Sequence, residues 1–115
     1  MRGKKKKSRL GDCYESAGSY LLDNPGNNLR LVHAEVAGQG PLEGTTFGHA
    51  FVMDGDEVLD MSNGRNIRMP FFLYSLLGRI QEIDNFYIYD ENQAREKIIE
   101  TGHWGPWDLK TRSGL

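Results

Sequence analysis

The chain has 115 residues, 38% of them hydrophobic and 26% charged, a balance that suits one small core and excludes an intrinsically disordered chain. No apolar run approaches the roughly 18 residues that a membrane-crossing helix needs, so no membrane span is expected. One cysteine excludes an intramolecular disulfide framework.

The net charge of -2 is unevenly distributed: residues 1–9 carry six basic and no acidic side chains, leaving residues 10–115 with eight basic against sixteen acidic. Residues 1–10 therefore read as a basic, flexible segment. Arg2, Lys4 to Lys7 and Arg9 offer a salt-sensitive contact for nucleic acid through residues 2–9. The acidic remainder does not suit that partner. The segment lacks the apolar stretch of a secretory signal, which makes the cytoplasm the expected location. Residues 11–115 are expected to form a single compact α+β domain.

A helix is predicted from about Cys13 to Leu22, with Asp12 as N-cap, Glu15 as capping-box partner, and Tyr14, Ala17, Gly18, Leu21 and Leu22 at helical spacing. Gly18 permits close approach of another element, and Asn24-Pro25-Gly26-Asn27 ends the helix. A strand follows over 29–36, with Leu31, His33 and Glu35 on one face and Val32, Ala34 and Val36 on the other. The glycine-rich loop from Gly38 to Gly44 lacks a phosphate-binding pattern and reads as turns or a cleft rim.

The clearest signal is two strand-like runs, 47–53 and 57–61, flanking Asp54-Gly55. A type I′ turn at that dipeptide sets Val52 opposite Glu57 and His49 opposite Asp60, an imidazole beside a carboxylate. A short helix begun near Pro70 is expected within Met69 to Leu77, and strands over 79–83 and 86–89. A second helix spans Glu91 to Thr101, with Asp90 and Gln93 as a capping box and Gly102 as its stop. His103-Trp104-Gly105-Pro106-Trp107 is aromatic enough to dock back on the domain. The fold class is thus α+β: a cysteine-bearing helix on a small antiparallel sheet, with a second helix near the C-terminus.

Cys13 stands in the first turn of its helix, where unpaired backbone N–H groups favour negative charge on sulfur. The hairpin supplies a histidine to take the thiol proton and an acid to orient that histidine. Three features, each with an ordinary alternative in core packing or a turn, assemble into one Cys-His-Asp arrangement. His33, His49 and His103 have no metal-ligand spacing, and no cofactor is expected.

Gly11-Asp12-Cys13-Tyr14 opening a helix, Gly48-His49-Ala50-Phe51-Val52 opening a strand and Val58-Leu59-Asp60 on the next strand resemble the papain-like superfamily in its compact NlpC/P60 and transglutaminase-like forms. The resemblance covers about residues 11–62. It implies a papain-like minimal core with Cys13 as nucleophile, His49 as general base and Asp60 as the third polar residue. It also implies acyl transfer or hydrolysis at a peptide, protein or cell-wall amide bond. The chain departs from the family in the residues around Cys13 and in the 35 residues that separate Cys13 from His49. No glutamine immediately precedes Cys13. The Cys13 N–H with Ser8 or Gln39 is the oxyanion set that remains, with Tyr14 shaping the cleft and Arg65, Arg68, Trp104 and Trp107 as substrate contacts. The whole has the look of a small phage or bacterial accessory protein. The competing reading is a noncatalytic module that binds a host protein, with Cys13 packed in the core.

Overall fold

The computed structural model describes residues 12–38, 40–82 and 85–110. The basic segment, Ser8 and Gln39 lie outside the described residues. Helix α1 (Cys13–Asp23) leads into β1 (Arg30–Ala37), β2 (Thr46–Asp54), β3 (Glu57–Asp60) and β4 (Ile67–Pro70). Helix α2 (Phe71–Gly78), β5 (Phe86–Tyr89) and α3 (Glu91–Thr101) complete the order. Among the described residues, five strands form one antiparallel sheet in the order β4-β3-β2-β1-β5. The chain is an α+β protein of the expected kind, with the Cys13 helix on the sheet and another helix near the C-terminus.

Strand alternation divides the interior into two layers. Leu31, Ala50, Val52, Leu59 and Tyr89 pack with Cys13, Tyr14, Ala17 and Leu21 of α1 and with Ala94 of α3. On the other side, Val32, Ala34, Phe51, Met53 and Val58 pack under Phe71 and Tyr74 of α2. Phe51 is fully buried, and removing such a side chain from water contributes roughly 1.5–3 kcal/mol.

The hairpin exists, but its register differs from the sequence expectation. Asp54 pairs with Glu57, Met53 with Val58 and Val52 with Leu59, so Gly55 and Asp56 form the turn. Gly55 has φ +62° while Asp56 has no positive φ. One glycine in the first central position suits a type II′ turn better than the expected type I′. Asp54 and Glu57 then stand opposite each other, and Arg68 on β4 pairs with both carboxylates. The slide is two residues, which preserves which face each side chain occupies.

Three other expectations change. Residues 67–70 are a strand paired with β3 rather than the approach to a helix, and α2 starts after Pro70. Residues 79–82 form no strand; Arg79 instead ends α2 in the left-handed region. The Asp12 side chain makes no cap bond to α1. The capping box at α3 is present: Gln93 N–H donates to Asp90 Oδ1 at 2.8 Å, and Asp90 N–H donates to Gln93 Oε1 at 2.9 Å.

The aromatic tail docks as the sequence leads one to expect. Trp104 and Trp107 are partly buried against the α1 layer. Gly18 makes room for the first: a Cβ there would lie 2.7 Å from Trp104 Cε3.

Candidate active site

Strand β2 carries His49, and β3 carries Asp60 four residues after the turn. Imidazole Nε2 and Asp60 Oδ2 are 3.0 Å apart and buried. The pair is diagonal rather than directly opposed, because of the two-residue slide; diagonal neighbours on one face remain within reach of long side chains. Ser62 fixes the other carboxylate oxygen, its N–H donating to Oδ1 at 3.0 Å and its hydroxyl at 2.7 Å. Tyr74 of α2 donates its phenol proton to Oδ2 at 2.7 Å. Asp60 thus initiates a turn and partners a histidine at once.

Helix α1 packs against β2 and the 62–64 turn, which brings Cys13 to His49. Burial alone would lower the His49 pKa, but the bond to Asp60 and the nearby Cys13 sulfur raise it to about 9. Burial opposes ionisation of Asp60, yet the donors from His49, Ser62 and Tyr74 hold its pKa well below the usual carboxylate range. The Tyr74 phenol is pushed far above its ordinary pKa by burial and the adjoining Asp60 charge, so it stays a donor. With Nε2 engaged by Asp60, His49 Nδ1 is the ring nitrogen left over; it is buried and has no hydrogen-bond partner among the described residues.

Cys13, His49 and Asp60 are 0%, 6% and 2% exposed, so they converge in a closed site rather than an open cleft. Tyr14 is a core residue whose buried hydroxyl has no partner among the described residues. Arg65 is exposed, and Arg68 is held in its ion pairs across β3 and β4. Trp107 packs on His33, ring centroids 4.8 Å apart, and on Tyr89 at 5.0 Å. Both tryptophans therefore serve the core. Ser8 and Gln39, the oxyanion candidates, lie outside the described residues.

Sequence reasoning missed Ser62 and Tyr74. Ser62 had a signal, since a hydroxyl two residues after an aspartate is a recurrent turn partner. Tyr74 had a weaker one, as a phenol beside Ser75 in the largely apolar run from Phe71 to Leu77. Among the described residues there is no cluster of His, Cys, Asp and Glu able to hold a metal, and no helix long and apolar enough to cross a membrane. Comparison with family models, curated proteins and solved structures gives no match. The functional reading therefore rests on a buried, clamped histidine–aspartate pair beside a helix-borne cysteine.

Proposed function

We propose that the protein is a cysteine-dependent hydrolase or acyl transferase acting on a peptide, protein or cell-wall amide through a thioester. The observation that carries this reading is the buried His49–Asp60 bond, with Cys13 near enough to bear on the charge of the imidazole. With Nε2–H committed to Asp60, Nδ1 is the nitrogen that takes the thiol proton, and a His49 pKa of about 9 means that the ring carries that proton through most of the neutral range. Sulfur then bonds to the substrate carbonyl carbon, and the carbonyl electron pair moves to oxygen. As the tetrahedral adduct collapses, the C–N bond breaks and His49 returns the proton to the departing amine. Water or a second amine releases the acyl group from sulfur. Asp60 orients His49 throughout and stabilises its cationic form. The Cys13 N–H at the helix start supplies one oxyanion donor. The scheme needs no metal or cofactor.

The closed geometry requires the substrate to displace whatever covers Cys13. Labelling of the folded protein with a small thiol reagent across pH tests the reading. A fast phase that His49→Ala slows at least about tenfold supports it, by the usual range for removing a positioned base. Identical rates in parent and His49→Ala, both matching the rate of global opening, reject it.

A second reading is a noncatalytic module that binds a host protein. It is favoured by α2, an uncharged helix on which Phe72 and Leu76 are 68% and 64% exposed, with Leu73 and Leu77 beside them. Cys13 at 0% exposure is compatible with simple packing in that case. The labelling result that rejects catalysis moves the assignment to this module.

A further inference from the structure

Helix α2 contributes little to the core, with no fully buried residue and an outer side of bare Phe and Leu. Its side-chain contact with the buried polar groups comes from Tyr74. The phenol reaches Oδ2 of Asp60, the same oxygen that His49 uses.

We propose that Tyr74 is a positioning residue of the Cys13–His49–Asp60 site, sharing Asp60 Oδ2 with His49 and so setting how strongly the carboxylate holds the imidazole. The proposal rests on the Cys-His-Asp reading for its functional meaning, while the hydrogen-bond arrangement is a physical matter that can be measured independently.

Asp60 is clamped at both oxygens, which makes carboxylate rotation costly: turning it breaks bonds to Ser62 and Tyr74 together. The second donor on Oδ2 also draws charge from that atom and sets the positive end of the O–H dipole near the imidazole. Both effects moderate the proton affinity of His49. A base tied too tightly to its acid is a poor proton donor to a departing amine. The groups facing His49 are Cys13 from α1, Asp60 from β3 and, through Asp60, Tyr74 from α2; Arg65 acts more weakly on Tyr74.

Tyr74→Phe is the direct test, because the ring keeps its packing against Phe51 at a centroid distance of 4.8 Å. The titration of the His49 ring, followed by NMR in the folded protein, is expected to rise by about half a unit in Tyr74→Phe, since one hydrogen bond to the charged partner is lost. Amide protection across α2 should stay at the parental level. A midpoint that is unmoved, or that falls, overturns the role. Should Tyr74→Phe unfold, the parent itself decides: a slowly exchanging Tyr74 hydroxyl proton with a downfield shift supports the bond to Asp60, and its absence overturns it. An unmoved midpoint with His49-dependent thiol labelling removes Tyr74 alone. Labelling that is independent of His49 removes the catalytic reading and leaves the titration to judge the bond.

Discussion

His33 and His49 lie on adjacent strands, both buried, and their environments drive them in opposite directions. His49 meets Asp60 and the Cys13 sulfur, and its pKa rises to about 9. His33 meets aromatic rings: Tyr14 at 4.9 Å, Tyr89 at 5.1 Å and Trp107 at 4.8 Å between centroids. Neither His33 nitrogen has a hydrogen-bond partner among the described residues, and burial lowers its pKa to about 3, with Asp108 pulling weakly the other way. Burial is common to the two. What separates them is a hydrogen-bonded carboxylate with a sulfur beside it, so desolvation by itself says nothing about whether a buried histidine is charged.

The largest expected effect comes from removing that carboxylate. Asp60→Ala strands the donors of His49, Ser62 and Tyr74, and should cost about 3–5 kcal/mol in chemical denaturation, as broken buried pairs do. In the parent, the His49 contribution is full below its unfolded pKa near 6.5 and fades as pH rises through about 9. Asp60→Ala should lack that alkaline loss, with the His49 midpoint falling toward the His33 range. A variant that keeps the parental alkaline slope breaks the comparison.

His33 has the reverse sign. Its folded pKa lies below its unfolded value, so the unfolded chain binds the proton first and stability falls as pH drops from 6.5 toward 3. About 3 kcal/mol should be lost between pH 6.5 and pH 4, most of it before the carboxylates begin to titrate. His33→Leu should remove this loss and leave stability at pH 7 equal or higher, because it replaces an unpartnered polar ring with an apolar side chain. Denaturant midpoints at four or five pH values measure it; an unchanged acid slope excludes the aromatic box as the cause.

A smaller effect is expected from the strap that covers His33. Gly105 has φ +123°, and a Cβ there would lie 2.7 Å from His33 Cε1 and 3.2 Å from Tyr14 Cδ1. Gly105→Ala should cost about 1–3 kcal/mol through strain and overpacking. Lifting the strap admits water, so the His33 titration should move upward from about 3 and tryptophan emission should shift red. Tight, blue-shifted emission at full parental stability would contradict this packing. Smallest of all, Asp108→Asn should lower the His33 midpoint by about a few tenths of a unit, since a screened, partly exposed charge acts weakly.

The parts legible in the sequence were those with local causes. The Asp90–Gln93 box and Gly102 set the bounds of α3 through backbone donors within one turn, and the outcome matches. Gly18 foretold close packing, though not that Trp104 would supply it. The proximity of His49 and Asp60 was legible through strand parity, which survives a slide of two residues but would not survive one. The register itself was not legible, because Asp54-Gly55 and Gly55-Asp56 each offer a two-residue turn, and Gly55 takes the first central position rather than the second. Residues 67–70 are too short a run, ending on Pro70, to announce β4. The isolation of His33 was equally hidden: alternation gives its face, while its neighbours come from α1, β5 and the tail.

Strand β3 stops at Asp60, whereas β2 runs on for several residues beyond its last rung with β3. The sheet acts as a wall between two rooms, and this missing length is a notch in the wall. Cys13 belongs to one room and Tyr74 to the other, yet both reach the His49–Asp60 pair at the notch. Cys13 is itself a buried member of the first room, so a reagent entering at the notch must still part the edge of that layer to meet the sulfur. The threshold for reaching the thiol is then set by the turn at Ser62–Gly64 and the start of α1. On the proposed catalytic reading that threshold lies below the melting of the whole domain, whereas for a merely packed cysteine the two coincide.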